Sequence, residues 1–220
     1  MSASALVAGG TGLVGNHLVK FLVQSGKFGE IKVLVRTGSN YINPEVFVIE
    51  VDFDHLAYSK DQLGSDAVFC CLGTTIKKAG SKDNFYKVDF TYPHELAKIA
   101  IDLGASQFNI ITALGASSKS TFYYNRVKGD IEDALCKLEF QNLNIFRPSL
   151  LLGKRDEDRI GERIASIIAK TLNPLLVGRL RKYRGVQAEV VARAMLNVSL
   201  SKYEGVQVFE SDTIQNLANV

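Results

Sequence analysis

Short apolar runs alternate with longer stretches of helical period along the chain. The runs at 4–8, 31–35, 46–51, 67–71, 107–111, 143–147 and 206–210 have the length and β-branched character of strands. The stretches at about 12–25, 84–103, 122–138, 157–171, 186–200 and 212–218 repeat their apolar positions every three to four residues and are read as helices. Strand and helix in turn predict an α/β fold, a doubly wound parallel sheet of order 3-2-1-4-5-6 with helices on both faces and right-handed crossovers. The run at 206–210 extends that sheet. Fewer strands follow residue 150, so the last third is expected to form a small cap over the carboxyl edge, within one domain spanning 1–220.

Composition narrows the class without changing this picture. At 220 residues, with 46% apolar and 22% charged side chains, the chain is long and apolar enough for one full core and is not disordered. A net charge of +3, scattered along the chain, is too small to imply nucleic acid. Three cysteines, two of them adjacent at Cys70 and Cys71, fit neither a disulfide framework nor a zinc pattern. A reducing, cytoplasmic setting is expected from that usage. The first twenty residues lack a basic start followed by a long apolar stretch, and no run of 18 apolar residues occurs, so neither export nor a membrane partner is expected.

The first strand runs straight into Gly9-x-x-Gly12-x-x-Gly15 and then into an amphipathic helix. A dinucleotide needs this arrangement of a Rossmann-type fold. The first glycine makes the turn, the second lets the backbone approach a pyrophosphate, and the third lets helix and strand pack closely. Gly9, Thr11, Gly12, Leu13, Val14 and Gly15 are therefore candidate cofactor contacts. The second strand ends Val33-Leu34-Val35-Arg36-Thr37, without the carboxylate that would hold the ribose hydroxyls of NAD(H). Arg36 favours the 2′-phosphate of NADP(H), with NAD(H) as the alternative. Asp52 and Phe53 close the third strand and are placed beside the adenine. Leu72, Gly73 and Thr74 close the fourth and offer close backbone approach and donors to the cofactor.

Tyr124 and Lys128 stand four apart on a helical stretch and share a face. Four-residue spacing is common by chance; the context after the fifth strand, whose end carries Thr112 and then Ser117, is what singles the pair out. Carbonyl reduction requires a proton at oxygen while hydride arrives at carbon, and a phenol beside an ammonium suits that task. Tyr124 is the candidate proton donor. Lys128 is expected to favour its phenolate and to hold the nicotinamide ribose.

These stretches, with Phe69–Thr75, Lys78-Ala79-Gly80, Phe85–Asp89, Phe108–Ile111, Tyr124–Asp130, Phe146-Arg147-Pro148 and Arg193–Asn197, resemble the atypical short-chain dehydrogenase/reductase family in its Tat-interacting-protein-like branch. The resemblance runs end to end. It implies a Rossmann sheet, NADPH and a Ser-Tyr-Lys site, which carries over as Tyr124 and Lys128, and it places Pro148 and Leu150 along the nicotinamide. One departure stands out: where that family has two serines, this chain has Thr112-Ala113. Thr112 is the expected surviving hydroxyl, with Ser117 in reserve.

Three readings follow. The first is an NADPH-dependent reductase of a small carbonyl substrate. The second is a nucleotide-sugar epimerase or dehydratase with retained cofactor, disfavoured by the short carboxyl-terminal region. The third is a non-catalytic NADPH sensor acting on a regulatory protein partner, supported by the missing hydroxyl at Ala113. Other features carry less. His17, His55 and His94 share no ligand spacing, so no metal is expected. Cys70 and Cys71 are read as buried packing rather than a redox pair. The basic run Arg179, Arg181, Lys182 and Arg184 is a solvated edge or an attractor of acidic substrate, and the stripe Ile160, Ile164, Ile167, Ile168 and Leu172 is a core-facing cap helix.

Overall fold

The computed structural model describes residues 2–153, 176–201 and 203–219. Its seven-stranded sheet is parallel throughout and takes the order β3-β2-β1-β4-β5-β6-β9. The strands are β1 (Ala3–Ala8), β2 (Phe28–Arg36), β3 (Phe47–Val51), β4 (Ala67–Cys70), β5 (Gln107–Ile111), β6 (Asn142–Arg147) and β9 (Gly205–Glu210). A separate two-stranded ladder joins β7 (Leu151–Leu152) to β8 (Val186–Gln187). The expected doubly wound α/β sheet and its seventh strand are both present.

The apolar runs are nearly continuous because both faces of the sheet are covered. In β1, Ala5 and Val7 join one core while Leu6 and Ala8 join the other, and all four are fully buried. One face carries α1 (Leu13–Ser25), α6 (Ala188–Ser199) and α7 (Ser211–Leu217). There Leu18 and Leu22 of α1 and Val191 and Met195 of α6 meet Val7, Val33 and Phe146. The other face carries α4 (Tyr92–Asp102) and α5 (Tyr123–Cys136), whose Leu96, Ile131 and Leu135 meet Leu34, Val68 and Phe108. Each fully buried leucine in these layers contributes about 1.5–3 kcal/mol of burial.

Two expectations are refined. Beyond the single turn α2 (Ile76–Ala79), the helix expected at 84–103 is three successive pieces: α3 (Lys82–Tyr86), a π-turn (Lys87–Thr91) and α4. Pro93 has no N–H to offer the carbonyl of Asp89 four residues back, and the ladder widens there instead of continuing. The extra residue turns Asp89 inward, where it is 1% exposed. The second refinement concerns the last third. The cap helix at 157–171, with its isoleucine stripe, lies outside the described residues. From residue 186 onward the chain completes the main layers, since α6 packs along α1 and β9 pairs with β6.

Two polar side chains sit deep in the sheet. Asn109 and Asn144 are opposite each other on β5 and β6. Asn144 donates to Asn109 at 3.0 Å and Asn109 to the Val68 carbonyl at 3.1 Å, so amide bonds run across three strands in the interior.

Candidate active site

All the candidate segments leave the sheet at its carboxyl edge, because neighbouring parallel strands end there together. At β1 the turn is made by Gly9, with φ of +81°. A Cβ on Gly9 would stand 2.7 Å from the Cys71 carbonyl, and one on Gly15 would stand 2.1 Å from the Gly9 oxygen. Both positions are closed by backbone. Gly12 differs: a Cβ there would touch only the Gly9 oxygen, at 3.1 Å. It precedes α1, whose amino end has no side-chain cap. The first-turn amides, with no intrahelical acceptor, face space beside Gly12, and this cradle fits a dinucleotide diphosphate. Thr11 is exposed and Leu13 half-buried, whereas Val14 is buried in the core, so only its amide is left for a ligand.

At the end of β2, Arg36 is exposed, and its side chain makes no hydrogen bond or ion pair with the described residues. Asp52 is engaged locally: it accepts the Asp54 amide at 2.9 Å and pairs with His55 at 2.8 Å. The His55 contact and the Asp54 amide hold its carboxyl below the usual range. Asp52 thus caps a 3-10 helix over Phe53–Gln62 that the sequence pattern did not show. Phe53 is 8% exposed, its ring 5.5 Å from that of Tyr92. After β4, Leu72 is half-buried and Gly73 exposed, and the Thr74 amide donates to Asp89 at 2.9 Å. Burial pushes the neighbouring Cys70 thiol up to about 12.

Tyr124 and Lys128 lie on one face of α5, a turn apart. Tyr124 is 37% exposed, with its ring 5.6 Å from that of buried Phe85. Lys128 is 4% exposed, and its ammonium sits 2.7 Å from the Asp89 carboxylate. Burial draws the ammonium down, but Asp89 and the nearby Tyr124 outweigh it and hold Lys128 above its usual value. The middle of α5 is pressed onto the loop after β5: a Cβ on Gly129 would stand 2.1 Å from the backbone at Ser117 and Ser118.

The two hydroxyl candidates are not in the lining of the cleft that Tyr124 reaches. Thr112 is 4% exposed and donates to Glu132. Glu132 in turn is gripped by Arg147 through Nε, at 3.0 and 3.1 Å, and through a further Nη2 contact. The cleft, of about 490 Å³, is lined by Ala113, Leu114, Gly115, Tyr124, Arg147 and Pro148, among others, and by neither Thr112 nor Ser117. Ala113 thus lines the cleft, and the neighbouring Thr112 does not. The Leu114 amide bonds the Pro148 carbonyl at 2.9 Å, joining the loops after β5 and β6. Leu150 is 46% exposed and is not part of that lining.

Sequence reasoning overlooked Asp89, Glu132 and Arg147 as members of the site, although Asp89 and Arg147 fall in the stretches that carry the family resemblance. A carboxylate amid the apolar positions of a helix is the signal that was available for Asp89. Of the basic run, Lys182 reaches the cleft and pairs with Glu210 at 3.3 Å. Arg184 donates to the Leu176 carbonyl at 2.7 Å. His17 lies against Phe21 and His94 against Phe90. Among the described residues no three His, Cys, Asp or Glu side chains are grouped to hold a metal, and no helix is long and apolar enough to cross a membrane.

Sheet order, glycine turn and the helix bearing Tyr124 and Lys128 define an NAD(P)-binding Rossmann protein of short-chain dehydrogenase/reductase type. Residues 5–135 match the model of the NAD dependent epimerase/dehydratase family, and the chain belongs to that family. It is 34% identical over 223 residues to Protein HTATIP2 of Rattus norvegicus, covering 97% of this chain and 88% of that one. It is 32% identical over 210 residues to the mitochondrial protein fmp52 of Aspergillus clavatus, covering 92% and 89%. Solved structures share the fold at lower identity. The Bordetella bronchiseptica enzyme WbmH in complex with NAD+ superimposes with a TM-score of 0.70 at 16% identity, covering 100% of this chain and 80% of that chain. The UDP-glucose 4-epimerase of Thermotoga maritima gives 0.70 at 19% identity, covering 98% and 80%.

Proposed function

We propose that the chain is an NADPH-dependent reductase of a small carbonyl compound, with Tyr124 as the proton donor. The observation that carries this reading is the Tyr124–Lys128 face: a half-open phenol at the cleft, one helical turn from a buried, charge-paired ammonium.

The chain's own groups divide the work by position. First-turn amides of α1 beside Gly12 would hold the diphosphate, and the exposed Arg36 would receive the 2′-phosphate. Backbone at Leu72 and Gly73, together with Pro148, would hold the nicotinamide end. When bound, NADPH supplies the hydride that reduces the carbonyl carbon. Lys128, anchored through one direction by Asp89, has donors left for the ribose hydroxyls. Tyr124 gives its phenolic proton to the carbonyl oxygen, yielding the alcohol, and its exposure lets solvent return a proton.

Titration of NADPH and NADH into wild type and Arg36→Ala tests the cofactor choice. We expect NADPH to bind roughly ten- to a hundredfold more tightly, from a charge-assisted contact of about 1.5–3 kcal/mol, and that preference to vanish in the variant. Tyr124→Phe should keep NADPH binding and lose about 10²–10⁴-fold in reduction of an aldehyde, ketone and quinone panel. Equal affinity for both cofactors, or a fully active Tyr124→Phe, would refute the assignment.

One observation favours a second reading. With Ala113 lining the cleft and Thr112 bonded to Glu132, neither position 112 nor 113 offers the cleft a hydroxyl, as suits an NADPH-responsive protein that signals to a protein partner. Binding of NADPH without turnover across the panel would favour it. Free Cys70, Cys71 and Cys136 support a reducing compartment. Cytosol is the expectation, and the fungal relatives' mitochondrial designation makes fractionation the deciding measurement.

A further inference from the structure

Most polar groups lining the cleft are committed to partners within the protein. Ser149 donates its hydroxyl to the Arg184 carbonyl. Lys182, from the 3-10 segment Gly178–Tyr183, pairs with Glu210 of β9 at 3.3 Å. Arg147, the last residue of β6, is committed only in part. Its Nε and Nη2 both donate to Glu132, while Nη1 donates to no described group. Arg147 is half-buried and lines the cleft, whereas Glu132 is buried and lies outside that lining.

A guanidinium presents its N–H groups in a rigid plane. Glu132 takes the edge formed by Nε and Nη2, and Thr112 in turn donates to Glu132. The plane of Arg147 is thereby fixed before any ligand arrives. The adjoining edge, Nη1 with the second N–H of Nη2, is unspent. Donors held in place beforehand cost a ligand little ordering of the side chain that binds it.

We propose that Arg147 binds a carboxylate on the substrate, so that the cleft takes small oxo acids, molecules that carry both a carboxylate and the carbonyl to be reduced. This rests on the reductase reading and names the substrate class of the same site. The described lining holds two cations, Arg147 and Lys182, against one carboxylate, Glu210. Glu210 stands beside Arg147 in the register of β6 and β9, but its charge is already answered by Lys182. A single negative charge is therefore what the lining leaves unmatched. A carboxylate also accepts the two parallel N–H bonds that an open guanidinium edge offers, which a neutral carbonyl group does less strongly.

The test compares benzoate with benzamide, ligands of similar shape and different charge, by ligand-observed NMR titration of the protein with NADPH present. Neither is reduced, so the readout does not depend on turnover. We expect wild type to bind benzoate about tenfold more tightly. Arg147→Lys keeps a cation against Glu132 but no planar fork, and should lose most of that preference. Arg147→Gln combined with Glu132→Gln leaves no charge buried alone, should equalise the two ligands, and decides the matter if Arg147→Lys fails to fold. Lys182→Met should keep the preference. Equal affinities in wild type, a preference that survives in the double variant, or one lost in Lys182→Met but kept in Arg147→Lys would each overturn the proposal. In turnover, para-carboxybenzaldehyde should exceed its methyl ester about tenfold in kcat/KM, mainly through KM. Failure of the reductase reading looks different: the benzoate preference stays intact and neither aldehyde is reduced. Equal reduction of both aldehydes, with benzoate and benzamide bound alike, would keep the reductase and remove the carboxylate site.

Discussion

The Thr112 hydroxyl donates to the Glu132 carboxylate, to which Arg147 also donates. A threonine at the end of β5 is thereby committed to the packing of α5 against β6, while Ala113 occupies the cleft. Thr112→Val should therefore act on stability and not on chemistry. It removes a buried, charge-assisted hydrogen bond worth about 1.5–3 kcal/mol, measurable by urea unfolding, with reduction expected to stay within about threefold. A loss near a hundredfold in rate would instead return Thr112 to the catalytic group.

The converse substitution is Ala113→Ser. It restores a hydroxyl at the position that lines the cleft beside Tyr124. One added hydrogen bond to the carbonyl oxygen, at about 1 kcal/mol, should raise kcat/KM by roughly fivefold. Steady-state rates with one responsive aldehyde check it, and a rate at or below wild type counts against a substrate oxygen at that place.

The glycines of the first turn should separate folding from binding. Gly15→Ala places a Cβ 2.1 Å from the Gly9 oxygen, against backbone that cannot yield, so the variant should lose several degrees of Tm as well as cofactor binding. Gly12→Ala meets only one atom, at 3.1 Å, and should fold nearly as wild type while blocking the diphosphate approach. Thermal unfolding and NADPH titration on the two variants distinguish the cases.

Thiol reactivity should follow burial. Cys70 is fully buried with its thiol pushed up to about 12, and burial pushes Cys71 up as well, while Cys136 is exposed. An aromatic disulfide reagent at neutral pH should label Cys136 quickly and the adjacent pair only on unfolding. Rapid labelling of the pair in the native protein would revive a redox role for it.

Acid and alkaline limbs of stability have named sources. The Ser4 amide and hydroxyl, both at 2.7 Å, hold the Asp66 carboxyl below its ordinary 3.8. A depressed folded value contributes stability that is complete above 3.8 and lost as pH falls through the folded value. Asp66→Asn should flatten the acid limb of an unfolding series run from about pH 5 to 2. Lys128 behaves in the opposite sense: held above 10.5, it contributes stability present below that value and lost as pH rises further.

How much of this was legible beforehand differs from element to element. β1 and its glycine turn were readable because much of the requirement is local: Gly9 turns at a positive φ of 81°, and a Cβ on Gly15 would meet the backbone of Gly9 and Gly10. The Tyr124–Lys128 face was readable for the same reason, since four residues of helix bring two side chains together wherever the helix lies. The 3-10 helix after β3 was missed because its anchors, Leu56 and Leu63, are set by burial under the sheet and not by any periodic pattern.

What the chain determined by itself is thus the doubly wound order of strands and helices, the diphosphate cradle and the Tyr–Lys pair, all of which follow from short-range periodicity and the steric demands of glycine. Which hydroxyl faces the cleft, and what neutralises Lys128, depended on the register of β5 against β6 and on a π-turn that swings Asp89 inward. Those are contacts between residues 15 to 39 positions apart. A one-residue change of phase in a strand or helix reverses them without altering composition or pattern, so only the packed tertiary structure decides them.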